Sequence, residues 1–114
     1  MSQLPGAANA TVDDAKIIQY LLNPAHSVQA AGKAKFFVAC GFSQTDWEEL
    51  KKALLEHPRV NAVTDSATTQ FGEKYEVSCS LVTPDGRNPC VISIWIVEPP
   101  DPSPRFVTAY PNLP

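Results

Sequence analysis

The chain of 114 residues lacks any long apolar stretch. A membrane-spanning helix needs about 20 consecutive apolar residues, and no run in this sequence approaches that length. The first residues also lack the charged and apolar regions of a secretory signal. The composition, 44% hydrophobic and 18% charged, fits one globular domain, which we expect over residues 11–114 behind a disordered lead at residues 1–10. These absences predict a cytoplasmic protein.

Cysteine is scarce and has no informative spacing. The three cysteines are an odd number and form no CxxC pair. A disulfide framework needs paired cysteines, and a structural zinc site needs closely spaced ones. We therefore expect reduced thiols that serve as small core residues.

Positive charge is also in short supply. Nine Lys and Arg stand against twelve Asp and Glu, which gives a formal net charge of −3. Proteins that coat nucleic acid neutralise many phosphates, so this balance argues against a long nucleic-acid track. A catalytic site around one scissile phosphate needs only a few cations, and the class of small ribonucleases therefore stays open.

Common catalytic signatures are missing. The sequence has no glycine-rich phosphate loop, no GxSxG elbow and no HExxH pair. Asp85, Glu98 and Asp101 lie beside a turn and prolines, whose local chemistry accounts for them. We expect no metal ion and no cofactor.

The first half of the chain has helical patterns. Thr11 is placed to cap a first helix that ends near Asn23, and a second helix is expected at residues 30–40 with Gly41 as its left-handed cap. Ser43 begins a capping pattern for a third helix, which we expect to end at His57-Pro58.

The second half predicts an antiparallel meander. Residues 74–81 alternate apolar and polar side chains, residues 90–97 are apolar throughout, and residues 105–111 form a third run. Residues 59–71 show no steady period and predict a mobile connection, with a short edge strand possible near residues 60–63. The fold class is therefore α+β, with two or three N-terminal helices on a three- to four-stranded antiparallel sheet.

The turn at Thr83-Pro84-Asp85-Gly86 sets the register of the hairpin. It places Cys79 opposite Val91 and Tyr75 opposite Trp95. Cys79 and Cys90 then face opposite sides of the sheet, so we expect no bridge between them.

Two groups of residues are candidates for chemistry. His26, Lys33 and Lys35 share one helical end, where an imidazole and an ammonium suit metal-independent phosphoryl transfer. The other interpretation is a surface histidine and two solvated lysines.

The last strand carries the second group. Arg105 suits phosphate recognition, but a surface ion pair with Glu98 or Asp101 explains it equally well. The ring of Tyr110 either stacks on a base or packs in the core. Thr108 supplies a hydroxyl on the same strand.

Several segments resemble a family of small bacterial domains of unknown function, which occur free-standing or at the C-terminus of polymorphic toxins. The resemblance spans about residues 16–111 and rests on the segments Tyr20-Leu21-Leu22-Asn23-Pro24-Ala25-His26, Gly32-Lys33-Ala34-Lys35-Phe36-Phe37, Gly41-Phe42, Pro84-Asp85-Gly86-Arg87, Trp95 and Val107-Thr108-Ala109-Tyr110-Pro111. The family is similar to the barnase, EndoU, colicin and RelE class of metal-independent ribonucleases, and this implies an RNase-like fold and RNA as partner.

The resemblance also implies roles for residues. His26, Lys33 and Thr108 would be catalytic, and Tyr110 would stack on a base. Phosphate would be bound by Lys35, Ser93 and Arg105. This chain has Ile92-Ser93 where the family pattern has an Arg-Thr pair, so a guanidinium is missing at that position.

The missing arginine leaves a second class of function open. A non-catalytic, degenerate copy would be an interaction or assembly module that pairs with an immunity protein or a second copy of itself. No DNA-binding signature and no membrane partner are indicated.

Overall fold

The computed structural model describes residues 3–22 and 28–112. Within these residues, a short 3-10 turn and three helices precede four strands. The helices are α1 (Asp14–Lys16, continued by a π-helical turn at Ile17–Leu21), α2 (Val28–Ala39) and α3 (Trp47–Val60). The strands are β1 (Val63–Thr69), β2 (Gly72–Ser80), β3 (Cys90–Val97) and β4 (Arg105–Pro111). The α+β prediction is confirmed.

The ends of the helices follow from capping chemistry. Gly41 has a φ of 105°, and the N–H of Phe42 donates to the carbonyl of Phe37, so α2 ends in the expected left-handed cap. The side chain of Asp13, rather than Thr11, accepts from the backbone at the start of α1. Helix α3 runs past the expected end at Pro58 to Val60, which is a correction of two residues.

The sheet is an antiparallel meander in the order β1-β2-β3-β4. Tyr75 pairs with Trp95 and Cys79 pairs with Val91, which confirms the expected register. Gly86 has a φ of 79° and its N–H donates to the carbonyl of Thr83, as the turn sequence predicts.

Strand β1 replaces the expected mobile connection. Its residues include three threonines and a valine, whose branched side chains favour extended backbone. Gly72 makes the tight β1–β2 turn possible, because it has a φ of 142° and an added Cβ would lie 2.1 Å from the carbonyl oxygen of Val97. The prediction failed here because pairing with β2 outweighs the weak local periodicity.

The N-terminal residues take a defined path where the sequence predicts disorder. Leu4 lies in the core, and residues 7–9 form a short 3-10 turn. Thr11 forms a parallel bridge with Arg105, and its carbonyl accepts from the N–H of Phe106. Residues 3–11 therefore pack against the molecule because Leu4 buries an apolar side chain and Thr11 satisfies backbone groups of β4.

The two faces of the sheet have different roles. The inner face packs against the helices in the apolar core and carries Val77, Val91, Trp95, Phe106 and Ala109. Alternation along the strands assigns the intervening residues to the outer face, which carries Glu76, Ile92, Ile94, Thr108 and Tyr110.

Within residues 3–22 and 28–112, no helix is both long and apolar enough to cross a membrane.

Candidate functional site

A cation, a hydroxyl and an aromatic ring meet at β4. The Nζ of Lys33 donates to the Oγ1 of Thr108 over 2.9 Å and lies 5.9 Å from the centre of the Tyr110 ring. The ring distance is that of a cation–π contact. Lys33 and Thr108 are 75 residues apart in the sequence, so only the fold brings them together.

The local structure explains this meeting. Lys33 lies on α2, whose Ala34 and Phe37 are buried in the core, so the helix is fixed against the sheet. Strand β4 is the last strand of the sheet, and a register shift between Ile94 and Trp95 interrupts its pairing with β3. A long lysine side chain can therefore pass the edge of β4 and reach a hydroxyl on the outer face.

Glu76 is a carboxylate on the same face that sequence reasoning did not select. It pairs with Ile94, which pairs in turn with Thr108, so its Cα lies two strands or about 10 Å from that of Thr108. Burial, and then the charge of Glu76, raise the pKa of Tyr110 above its ordinary value. Tyr110 therefore lies within electrostatic reach of Glu76.

Arg105 lies at the far end of the outer face. It pairs with Ile96 and is three residues from Thr108, which corresponds to about 10 Å along the strand. Its guanidinium forms an ion pair with Glu98, as one of the two sequence interpretations proposed. The side chain is 58% exposed, so the pair is screened by solvent and contributes little to stability.

Lys35 and His26 complete the helical group. Lys35 is exposed on α2, and residues two apart on a helix point to different sides, so it does not converge with Lys33. Its role in phosphate binding stays a prediction. His26 lies outside the described residues, and its catalytic role also stays a prediction.

Ser93 lies on the inner face, away from this cluster. Its side chain is fully buried, and its Oγ is 2.8 Å from both the Nε1 of Trp95 and the Nδ1 of His57. The Nε2 of His57 is 2.7 Å from the carbonyl oxygen of Cys79. The phosphate-binding role of Ser93 stays a prediction, and this placement favours a structural role.

The tautomer of His57 follows from these partners. A carbonyl oxygen only accepts, so Nε2 carries the proton and Nδ1 accepts from the hydroxyl of Ser93. Ser93 in turn accepts from the indole of Trp95. Desolvation by burial lowers the pKa of His57, and the hydrogen bonds to backbone oppose that shift. His57 is therefore a neutral core residue that ties α3 to the sheet.

Replacing Ser93 with alanine tests this structural role. The change leaves the indole N–H of Trp95 and the Nδ1 of His57 buried without a partner, so we expect the free energy of unfolding to fall by about 1–3 kcal/mol. Urea unfolding of wild type and Ser93→Ala measures the difference. Ser78→Ala is the matched control, because the Ser78 hydroxyl is hydrogen-bonded to the Thr64 hydroxyl near the surface. Equal stability of Ser93→Ala and wild type would contradict the assigned network.

Hydrogen bonds from Arg87 attach the turn between β2 and β3 to the end of α2. Arg87 donates to the carbonyl of Ala39 at the end of α2 and to the carboxylate of Asp85. Hydrogen bonds from Thr83 and Arg87 hold the pKa of Asp85 at about 2. Burial raises the pKa of Cys40, which lies beside Arg87. These residues fix the turn, and they lie apart from the cluster at β4.

Comparisons with known proteins agree on the fold. A family model described as "Domain of unknown function (DUF6883)" matches residues 3–113. A chain in the structure of a contact-dependent growth inhibition toxin–immunity protein complex from Klebsiella pneumoniae 342 aligns with a TM-score of 0.74 and 20% sequence identity. That alignment covers 96% of this chain and 98% of the other, and it shows a shared fold. No curated protein matches the chain.

Proposed function

The chain belongs to the DUF6883 family, and we propose that it is a metal-independent endoribonuclease of the toxin type. The shared fold with a chain of a toxin–immunity complex supports a toxin-related origin. The RNase class rests on the sequence resemblance and on the chemistry of the outer sheet face.

One observation carries the proposal: the hydrogen bond from Lys33 to Thr108, with the same ammonium over the ring of Tyr110. Because the Thr108 oxygen accepts from Lys33, its O–H remains able to donate to a phosphate oxygen. An ammonium, a hydroxyl donor and a partly buried aromatic ring therefore lie together. A nucleotide offers matching partners, namely an anionic phosphate and a flat base.

The reaction would be a transesterification within RNA. The ribose 2′-oxygen forms a bond to the adjacent phosphorus, and the bond from phosphorus to the 5′-oxygen of the next nucleotide breaks. The products are a 2′,3′-cyclic phosphate and a free 5′-hydroxyl. Lys33 would stabilise the negative charge on the non-bridging oxygens as five groups surround the phosphorus, and Thr108 would orient one of those oxygens.

Two protons move in this reaction. One leaves the 2′-hydroxyl and one reaches the 5′-oxygen. We assign the first to the carboxylate of Glu76, which shares the outer face with Thr108 and Tyr110. His26 would donate the second proton, since imidazolium is an acid near neutral pH. Tyr110 would stack on the base beside the scissile bond.

Incubation of the purified protein with total tRNA and rRNA in EDTA tests the proposal. We expect discrete fragments with 2′,3′-cyclic phosphate ends, and none from a His26→Ala variant that is folded by circular dichroism. Intact RNA at high protein concentration, with the wild type folded, would overturn the endoribonuclease proposal.

A second candidate function is an interaction module, and a surface groove favours it. The groove has a volume of about 410 Å³ and lies between α3 and the β2–β3 turn. Its apolar lining includes Phe42, Ala53, Pro84 and Val82, and Val82 is 61% exposed. A protein that is inert on RNA and dimeric by light scattering would favour this function over catalysis.

A further inference from the structure

Cys79 and Cys90 lie next to each other on neighbouring strands. Cys79 pairs with Val91, and Ser80 pairs with Cys90, so the two cysteines occupy adjacent rungs of the β2–β3 ladder. In regular strands this offset sends the two side chains to opposite faces, as the sequence predicts. The register is as expected, but Cys79 is exposed instead of buried in the core.

The backbone of Cys79 explains the difference. Its φ of 152° is a conformation that residues with a side chain rarely adopt. The carbonyl of Cys79 accepts from the buried His57, and the side chain is exposed although the alternation assigns it to the core. The bond to His57 therefore holds Cys79 in an irregular conformation that turns its thiol outward.

The thiols of Cys79 and Cys90 are close enough to interact. Interaction with the Cys90 thiol is the main reason that the pKa of Cys79 is raised. The side-chain amide of Asn112 also donates to the sulfur of Cys90 over 3.6 Å. Adjacent rungs place the two Cα atoms about 6 Å apart, within the range of about 4.4–6.8 Å that disulfides require.

We propose that Cys79 and Cys90 are a thiol modification site that forms a reversible disulfide across β2 and β3 with a low-molecular-weight disulfide as oxidant. One thiol loses its proton and attacks the oxidant, which forms a mixed disulfide and releases one small thiol. The second protein thiol attacks the mixed disulfide, closes the Cys79–Cys90 bond and releases the second small thiol. Two protein thiols lose two electrons and two protons, and the small disulfide gains both. The proposal is independent of any activity on RNA.

Cys40 is an internal reference for this chemistry. It is buried in the core and 1% exposed, whereas Cys79 is exposed. Thiol exchange requires an accessible thiolate, so Cys40 in the folded protein reacts slowly. The oxidation should therefore stop at one disulfide and one free thiol.

Oxidation with glutathione disulfide tests the site. The folded protein is incubated with the oxidant, then unfolded in denaturant near neutral pH with excess N-ethylmaleimide, which alkylates the remaining free thiols. We expect the intact mass to fall by two hydrogen atoms and the number of alkylated thiols to fall from three to one. A peptide map should contain the Cys79–Cys90 link, and dithiothreitol should restore three thiols.

Single variants make the result specific. Cys79→Ser and Cys90→Ser should each retain one stable glutathione adduct in place of the internal bond, because the second thiol is missing. Cys40→Ala should still form the link. Three free thiols after oxidation, separate adducts on Cys79 and Cys90 in the wild type, or a link that includes Cys40 would each overturn the proposal.

Discussion

Replacing Lys33 with alanine is expected to lower the rate of RNA cleavage by about 10²- to 10³-fold. The magnitude is that of losing one group that stabilises the charge developed in a transition state. The ammonium contacts both Thr108 and Tyr110, so its removal changes the candidate site directly. Initial rates on a short RNA oligonucleotide in EDTA measure the effect.

Lys52→Ala is the matched control for this change. Lys52 is an exposed lysine on α3 and lies away from β4, so the variant removes the same charge from the molecule. We expect its cleavage rate to equal that of the wild type within about twofold, since distant surface charges are screened by salt. Equal rates for Lys33→Ala and Lys52→Ala would contradict a role for Lys33 in the reaction.

Replacing Glu76 with glutamine is expected to lower the cleavage rate by about 10²- to 10⁴-fold, the contribution typical of a general base. The amide keeps the size of the side chain and loses its ability to accept a proton. The same variant should lower the pKa of Tyr110, because the charge of Glu76 helps to raise it. Rate measurements across pH and an ultraviolet titration of the tyrosines follow the two effects.

The cleavage rate reports whether Glu76 takes part in catalysis, and the tyrosine titration reports whether its carboxylate lies near Tyr110. Glu49→Gln removes a carboxylate from the exposed side of α3 and should change neither readout. A lower tyrosine pKa with unchanged cleavage would show that Glu76 lies near Tyr110 but takes no proton from RNA. Unchanged values for both would contradict the position assigned to its carboxylate.

Much of the sheet can be predicted from the sequence because its signals are local. Thr83-Pro84-Asp85-Gly86 carries turn chemistry at a fixed offset, and this sets the partners of Tyr75 and Cys79 without tertiary information. Gly41 predicts the end of α2 for the same reason. Such features depend on the backbone preferences of one or two residues.

Other features depend on partners that the local sequence does not contain. Strand β1 has little apolar alternation and is a strand because β2 pairs with it. The outward turn of Cys79 depends on a hydrogen bond from His57, a residue 22 positions away on a helix. Period-two alternation assigns Cys79 to the core, so the exception cannot be found from pattern alone.

The candidate site also combines residues that the sequence indicates with contacts that only the fold determines. The residue pattern makes Lys33, Thr108 and Tyr110 candidates, and the family resemblance implies their roles. Their contacts depend on the docking of α2 beside β4. Glu76 was missed, although its signal was present: it alternates with core residues of β2, and the turn fixes its partner as Ile94. The register of β4 places Thr108 and Tyr110 on the same face as Glu76. The proline-rich connection before β4 does not predict that register.

The most direct test of the central claim is to locate bound RNA on the molecule by NMR. A 2′-deoxy oligonucleotide lacks the attacking hydroxyl and stays intact, so amide shifts report binding alone. The account predicts shifts concentrated at Glu76, Ile94, Thr108 and Tyr110, with a loss of these shifts in Lys33→Ala. Shifts confined to the groove between α3 and the β2–β3 turn, or no shifts at millimolar oligonucleotide, would contradict a nucleotide site on the outer face.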